Sequence, residues 1–385
     1  MRAFAGVAVA LGASFVASTA WGHGARPSVF DIVERDGGVV GMATTFGVIH
    51  DGGDGLTWSC TAAVPATPTG YLFAGDDVIA TTTDGLYVSD DSGCTWSEHP
   101  SDIAAPVVTE VRRDGADGGS TWLVTADLDA PNGVYRSDDD GRTWDAFGPT
   151  LDDTALYGLA VAEGRVVVTA LNAEVGWSVL DWTADAAEPV ADVPEGLLDV
   201  EVWIAGDRVW LADIRMRDST FYGHDADTDA FVAWGDPVEG VITDVVEADG
   251  DVLVATDTSD VYRATPAGLE RLEGESGACF VDDAPGATLR CGTTEGGVAM
   301  WIGPVGASEP GLAFDAVAPA ACIYDEAHPC APVAEFASDF LGEPADTGSS
   351  GSGCAVSRNR GAGSSALFAV ALAALVIGRR RVHRV

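Results

Sequence analysis

A short pattern recurs three times between residues 47 and 144, and it constrains the fold more than any other feature of the chain. The segments Gly85–Trp96 and Gly133–Trp144 both carry S-x-D-x-G-x-T-W. Gly47–Trp58 keeps the final G-x-T-W of the pattern. Recurrence at this spacing is typical of folds in which similar supersecondary units are arranged side by side. The chain is therefore predicted to be an array of related units.

Weaker copies of the same pattern continue along the chain. Seven positions are equivalent: Ile49, Tyr87, Tyr135, Ser178, Tyr222, Tyr262 and Ala299. The steps between them are 38, 48, 43, 44, 40 and 37 residues. The mean step of about 42 residues is the length of one blade of a β-propeller. The spacing predicts seven units.

Each unit also has a regular internal pattern. Two short apolar segments separated by a Gly or Asp turn precede the motif, as in LAVAEGRVVVTA (residues 159–170). One further segment leads directly into the motif, and another follows it along the chain. Alternating apolar residues with turn residues at this spacing indicate hairpin-linked strands. We predict an all-β fold, a seven-bladed β-propeller of four-stranded blades, because closure into a ring removes exposed sheet edges.

The motif resembles the Asp-box (BNR) repeat, and the resemblance covers about residues 28–340. Similar repeats occur in sialidases, sortilin-type receptors and photosystem II assembly factors, and HGARPSVF resembles the opening of exported myxobacterial propeller proteins. The box Asp can accept turn amides, the box Gly can adopt a left-handed backbone, and the box Trp can fill the space between sheets. We expect a structural role, with a ligand site at each box as the alternative, for Thr57, Trp58, Ser89, Asp91, Gly93, Thr95, Trp96, Ser137, Asp139, Gly141, Thr143 and Trp144.

The two ends of the chain are predicted to direct its location. Residues 1–22 have the charged start, apolar run and small residues of a signal peptide, which leaves 23–340 as the propeller. Residues 341–365 form a Gly/Ser-rich linker with Cys354, and 366–385 form a transmembrane helix with an Arg-rich tail. This tail resembles the myxobacterial (MYXO-CTERM) sorting signal, which implies surface sorting and processing at Cys354. We expect an exported protein in the cell envelope or on the outer surface, anchored or released after processing.

The cysteine content agrees with export. Six cysteines remain once Cys354 is assigned to the tail, and six can pair in 15 ways. No C-x-x-C spacing supports zinc, so disulfides in an oxidising compartment are predicted. Proximity in sequence favours the pairs Cys60–Cys94, Cys279–Cys291 and Cys322–Cys330.

The charge excludes several classes of partner. The chain has 60 acidic residues against 20 arginines, no lysine, and a formal charge of −40. Residues 1–22 and 354–385 contain seven of the arginines and no acid, so the segment between them carries −47. Nucleic acid and anionic membrane surfaces are excluded as partners of this body, and a P-loop or catalytic lysine is absent. A monomer that contacts the membrane only through its C-terminal helix is expected, with a protein, peptide or glycan partner.

No catalytic residue or cofactor is assigned from the sequence. A sialidase would need three convergent arginines and a Tyr–Glu pair, for which the candidates are Arg208, Arg215, Arg217, Arg290 and Tyr222. Its F/Y-R-I-P motif is absent. Calcium is the one cofactor suggested, by Asp225, Asp227 and Asp229, although Ala230 stands where a calcium loop needs Gly. We predict a non-catalytic binding or scaffolding module, with a sialidase-like glycoside hydrolase or an assembly factor as alternatives.

Overall fold

A computed structural model describes most of the predicted propeller region and neither end of the chain. The predicted signal peptide, the linker with Cys354 and the predicted transmembrane helix lie outside the described residues. Among the residues it does describe, no helix is long and apolar enough to cross a membrane. The described residues are 29–331 except 36–37, 45–46, 52–54, 75–76, 104, 115–118, 128, 216, 249, 257–259, 273–277, 283–287, 293–297, 305–308, 314–316 and 326.

The first four sheets follow one another along the chain as antiparallel hairpins. Sheet A contains β1 (Val29–Arg35), β2 (Gly38–Thr44), β3 (Gly47–Asp51) and β4 (Leu56–Cys60). Sheet B contains β5 (Pro68–Ala74), β6 (Asp77–Thr82), β7 (Gly85–Ser89) and β8 (Ser97–Glu98). Sheet C contains β9 (Val108–Arg113), β10 (Thr121–Thr125), β11 (Asn132–Ser137) and β12 (Asp145–Leu151). Sheet D contains β13 (Thr154–Ala162), β14 (Arg165–Asn172), β15 (Gly176–Trp182) and β16 (Ala187–Pro189).

The last three sheets repeat this plan. Sheet E contains β17 (Val200–Ala205), β18 (Arg208–Ile214), β19 (Asp218–Asp225) and β20 (Ala230–Ala233), with β21 (Val238–Glu239) paired to β19. Sheet F contains β22 (Ile242–Ala248), β23 (Asp251–Thr256), β24 (Val261–Thr265) and β25 (Gly268–Arg271). Sheet G contains β26 (Ala278–Asp282), β27 (Thr288–Gly292), β28 (Val298–Pro304) and β29 (Glu309–Ala313). A last strand, β30 (Ala318–Pro319), and two 3-10 helices, Thr61–Ala63 and Ala321–Tyr324, complete the elements.

The all-β prediction is confirmed, and the sheets contact one another in a ring. From sheet B to sheet G, the first strand of each sheet contacts the first strand of the next. The ring closes because β26 contacts β1 and β2 contacts β5. The first strands therefore lie innermost around a common axis, as in a β-propeller. All seven positions that the sequence made equivalent lie on the third strand of a sheet, so the motif connects the third and fourth strands.

The antiparallel order gives the ring two different faces. The Asp-box turns and the turns between first and second strands lie on one face, which we call the box face. The turns between second and third strands and the connections between sheets lie on the opposite face, which we call the loop face. The longest described connections, 99–107 and 190–199, belong to the loop face. Each innermost strand begins at the loop face.

Apolar side chains fill the spaces between adjacent sheets. Trp182, Leu159 and Val168 of sheet D pack with Trp122 and other residues of sheet C in one buried cluster. Sheets D and E share a second cluster and sheets E and F a third. Burial on both sides of sheets B to E explains why their strands contain continuous apolar runs instead of strict alternation.

The two disulfides of the described residues correct the pairing predicted from proximity. Cys60 bonds Cys330, and Cys94 bonds Cys322. The pairs Cys60–Cys94 and Cys322–Cys330 were therefore wrong. Cys60 ends β4 and Cys94 lies in the box turn of sheet B, so each faces the C-terminal segment 317–331 instead of the other. Cys279 and Cys291 lie opposite each other on β26 and β27, and their pairing stays a prediction.

The segment 317–331, which we call the strap, attaches the C-terminal end to the first two sheets. Its strand β30 runs parallel to β4, and the Ala320 amide donates to the Trp58 carbonyl at 2.8 Å. Val317 and Ile323 are fully buried against sheet A. His328 donates through Nε2 to the Cys94 carbonyl at 2.8 Å. Each of the seven sheets is built on four consecutive strands, and β30 joins sheet A beside β4. The strap therefore links the C-terminal end of the chain to the first sheet.

Candidate functional site

The Ser, Asp and Thr side chains of the two complete Asp-boxes make the same hydrogen bonds. Asp139 Oδ1 accepts the Thr143 amide at 2.8 Å, and its Oδ2 accepts the Thr143 hydroxyl at 2.7 Å. Asp91 accepts the amide and hydroxyl of Thr95 at the same distances. Ser89 and Ser137 each accept the amide of the box glycine at 2.8 Å. The Ser, Asp and Thr side chains of both boxes are therefore occupied by their own turns.

The box glycines have backbone conformations that other residues avoid. Gly93 and Gly141 both have φ of +86°. A Cβ at Gly141 would lie 3.0 Å from Ile79 Cδ1 of the preceding sheet, and one at Gly93 would lie 3.0 Å from Ser59 Cβ. Each box turn therefore packs on the sheet before it, which requires both the left-handed backbone and the missing side chain.

The box tryptophans occupy three different environments. Trp144 is buried with residues of sheets B and C, and Trp96 packs beside Tyr71 between sheets A and B. Trp58 is buried against Val317 and Ile323 of the strap. The strap therefore covers the first box tryptophan.

Replacing Asp139 by alanine is expected to lower the free energy of unfolding by about 1–2 kcal/mol, because two turn donors lose their acceptor. Burial by itself would raise the pKa of Asp139, but the bonds from Thr143 and Ser137 lower it below the ordinary value. The ionised form is therefore stabilised by folding, and this contribution is lost as the pH falls through the lowered pKa. Urea unfolding at about pH 7 and about pH 3 should show a smaller effect of Asp139→Ala in acid. Asp145→Ala, an exposed change in the same sheet, is the control, and an equal loss in both variants would contradict the prediction.

Of the residues suggested for a sialidase site, Arg215 and Tyr222 are close enough for their charges to interact, but Arg208 is remote from them. Arg208 begins β18 at the box face, where its guanidinium lies 5.9 Å from the Trp234 ring. Arg215 follows the other end of β18 at the loop face, about 20 Å along the strand. There it pairs with Asp213 at 2.8 Å. The side chain of Arg290 lies outside the described residues.

The suggested calcium string forms the turn between β19 and β20. Asp225 accepts the Asp227 amide at 3.0 Å and the Thr228 hydroxyl at 2.8 Å. Among the described residues, no group of three or more His, Cys, Asp or Glu side chains is arranged to hold a metal ion. The carboxylates of this turn are used in local hydrogen bonds.

A different set of residues comes together where the innermost strands begin. In sheets B and C, Thr69 and Thr109 each donate to a carbonyl of the next innermost strand, at Val108 and Leu156, with both distances 2.7 Å. Thr169, on the second strand of sheet D, donates in the same way to the Val200 carbonyl of the next innermost strand at 2.9 Å. The residues that follow the accepting carbonyls are Thr109, Tyr157 and Glu201. Equivalent positions therefore change from Thr in sheets B and C to Tyr in sheet D and Glu in sheet E.

We call Glu110, Arg112, Tyr157, Asp199 and Glu201 the axial cluster. Glu110 accepts the Leu159 amide at 2.5 Å and pairs with Arg112 at 2.5 Å. Glu201 has no hydrogen bond or ion pair with a described residue, although the charges of Glu110, Asp199 and Arg112 act on it. Asp199 is 8% exposed, and its carboxylate likewise has no bonding partner among the described residues. Two of the cluster's carboxylates therefore have no ion-pair partner among the described residues.

Burial and like charges change the protonation of this cluster. Burial, together with the charge of Asp213, raises the pKa of Asp199 to about 6. Burial and the charges of Glu110 and Asp199 raise the pKa of Glu201 well above its ordinary value. Burial also raises the pKa of Glu110 despite its Arg112 partner, and burial with the charge of Asp199 raises that of Tyr157 to about 12. Without an added positive charge, the surroundings of these carboxyl groups favour their protonated, uncharged form.

The loop face next to the cluster carries the two most exposed large apolar side chains of the described residues. Val175, between β14 and β15, is 82% exposed, and Leu198 is 62% exposed. The Leu198 amide donates to the fully buried Asp213 carboxylate at 2.7 Å, and the Ile214 amide donates to the Asp199 carbonyl at 2.8 Å. Leu197 is buried between sheets D and E. The backbone therefore holds Leu198 in an exposed position beside Asp199.

Comparison with known proteins gives a likeness in structure alone. No family model and no curated protein matches the chain. The extracellular domain of a hybrid two-component system of B. thetaiotaomicron is 14% identical, with a TM-score of 0.46 over 71% of this chain and 38% of that one. YCF48 from Cyanidioschyzon merolae is 14% identical, with a TM-score of 0.44 over 70% and 93% of the two chains. A GH74 xyloglucanase from Xanthomonas campestris is 14% identical, with a TM-score of 0.38 over 60% and 41%.

Sequence reasoning missed the axial cluster for a definite reason. With 60 acidic residues in the chain, proximity of two carboxylates carries no information in the sequence. The usable signal was positional, because Tyr157 and Glu201 occupy the places that Thr69 and Thr109 take on the innermost strands of sheets B and C. That signal needs the strand register, which the bulges in β9 and β13 shift.

Proposed function

We propose that this chain is an exported, surface-sorted, seven-bladed Asp-box propeller that binds a protein or peptide partner at its loop face. The observation that carries the proposal is the pair of unpartnered carboxylates, Asp199 and Glu201, beside the rigidly exposed Leu198. An apolar side chain fixed by buried hydrogen bonds loses little entropy on binding, and it forms an effective anchor. The boxes remain structural in this proposal.

Other features support export and a binding role. Disulfides of the kind seen between the strap and sheets A and B form in oxidising compartments, which fits an exported protein. The sorting tail and processing at Cys354 belong to the proposal through their resemblance to the myxobacterial signal. The charge of −47 on the body keeps the rest of the surface soluble and repels anionic partners.

The alternative functions have less support. A sialidase-type hydrolase requires convergent arginines, and Arg208 and Arg215 lie at opposite ends of β18. The assembly-factor alternative is a special case of protein binding and needs the same loop face. We therefore place the binding role first.

Photo-crosslinking tests the proposal directly. With p-benzoylphenylalanine replacing Leu198 or Val175 in the full chain expressed in its own cells, illumination should give a discrete higher-mass adduct in the envelope fraction. The control position is Glu98, an exposed residue in the outermost strand of sheet B. Adducts of the same kind from position 98, or no adduct from positions 175 and 198, would contradict a docking site on the loop face.

A further inference from the structure

We infer that Asp199 and Glu201 receive the lysine or arginine side chain of a peptide partner, and that a neighbouring apolar residue of this peptide packs on Leu198. The inference rests on the proposed function and names the chemistry of the partner. It depends on which charges around the axial cluster are already paired and which are not.

Two of the four nearby carboxylates already have a cation. Glu110 pairs with Arg112 at 2.5 Å, and Asp213 pairs with Arg215 at 2.8 Å. Asp213 also accepts the Leu198 amide, which uses its other oxygen. Asp199 and Glu201 are left without a donor among the described residues, although Asp199 is more than nine-tenths buried. A buried carboxylate without a partner is unfavourable, so an incoming cation gains more here than at the exposed acids elsewhere.

The aromatic and apolar neighbours favour a side chain over a free ion. The Tyr157 ring lies 5.4 Å from the Trp177 ring on the same sheet, and Trp177 packs against the connection that carries Leu198. A lysine or arginine has an apolar stem that can lie along such surfaces while its charged end reaches the carboxylates. An adjacent apolar residue would then cover Leu198, whose backbone is fixed by Asp213.

The negative charge on the rest of the propeller favours a basic partner as well. The charge of −47 draws cationic peptides toward the propeller and repels acidic ones. General attraction of this kind is screened by salt, whereas a cation held between partly buried carboxylates is screened less. Salt therefore separates binding at the cluster from diffuse attraction.

Binding at this site should be linked to proton release. The groups that face Asp199 and Glu201 or their immediate partners are Glu110, Arg112, Tyr157, Asp213, Arg215 and Tyr222. The pKa of Asp199 is raised to about 6 and that of Glu201 is raised well above its ordinary value, so a cation that binds at the acidic end of this range displaces protons from them. Affinity should therefore increase between about pH 5 and about pH 8, with about one proton released per peptide.

The probe is the capped peptide acetyl-Leu-Lys-Leu-Lys-amide, with the glutamine analogue acetyl-Leu-Gln-Leu-Gln-amide as its neutral match. Calorimetry uses the full chain in uncharged detergent at about 150 mM salt, in two buffers of different ionisation enthalpy. The lysine peptide should bind at least about tenfold more tightly than the glutamine peptide at pH 8. Asp199→Asn with Glu201→Gln should remove this preference, whereas Glu98→Gln with Asp145→Asn, two exposed acids elsewhere, should keep it.

Several outcomes would overturn the inference. Equal affinity for the two peptides, equal loss in the peripheral control variant, or affinity that does not change with pH would each do so. Competition by putrescine as effective as the lysine peptide would show that the occupant is a small amine instead. Crosslinking from positions 175 and 198 that persists in the Asp199→Asn, Glu201→Gln variant would leave the proposed function standing and reject the cationic partner. Near-ultraviolet circular dichroism confirms that each variant is folded.

Discussion

Replacing Cys60 and Cys330 together by alanine is expected to lower the free energy of unfolding by about 4 kcal/mol. With the Cys94–Cys322 bridge intact, this second bridge closes a further loop of about 40 residues, and loop closure of that length has about this value. Removing all four cysteines also opens a loop that spans 228 residues. The combined loss of about 9 kcal/mol approaches the whole stability of an ordinary domain.

Chemical unfolding monitored by tryptophan fluorescence checks this prediction. The double variant should unfold at a lower urea concentration than the wild type, and the four-cysteine variant should lack a cooperative transition. Reducing the wild type should reproduce the four-cysteine result. If reduction leaves the midpoint unchanged, the strap does not hold the ring closed. The physical reason for the large effect is that β30 adds only 2 residues to sheet A, so the disulfides of the strap supply most of the closure.

Replacing Trp182 by alanine is expected to lower the free energy of unfolding by about 3–5 kcal/mol. Trp182 is 2% exposed and packs between sheets C and D with Leu156, Leu159 and Val166. Its Nε1 donates to the Phe147 carbonyl of sheet C at 2.7 Å. The change therefore leaves a large cavity and an unpaired carbonyl at one sheet interface.

Two further variants separate the loss of packing at Trp182 from the loss of its hydrogen bond and from the effect of an exposed substitution. Trp182→Phe keeps most of the apolar area and loses the hydrogen bond, so its loss should be about 1–2 kcal/mol. Val175→Ala, in the exposed turn at the loop face, should change stability by less than about 0.5 kcal/mol. Equilibrium urea unfolding measures all three. A loss in Trp182→Ala no larger than that in Val175→Ala would show that the interface between sheets C and D does not depend on this side chain.

Trp182 also shows why the fold could be predicted from weak copies of the motif. The fourth unit lacks the box turn, but it still places a tryptophan between sheets, at the end of β15 instead of after a turn. The side chains that fill inter-sheet space and the turn residues that reverse the chain are local requirements, and they recur at each unit. The third-strand positions from Ile49 to Ala299 were therefore predictable from the sequence alone.

The disulfides and the axial cluster were not predictable in the same way. Cys60 and Cys330 are 270 residues apart, and they meet because the strap returns to sheet A. Glu110 and Glu201 come from sheets C and E, and they interact only because the innermost strands gather around one axis. Both features depend on closure of the ring, which is a property of all the sheets together.

The sequence by itself determined the all-β character, the recurring unit, the place of the box turns and the strong negative charge, because each depends on residues that are close along the chain. The tertiary structure decided which cysteines bond, which carboxylates are left without a cation, and which apolar side chain is held exposed beside them. Those three features depend on contacts between residues of different sheets. Their partners are set by the curvature and closure of the ring, which no local pattern of residues contains.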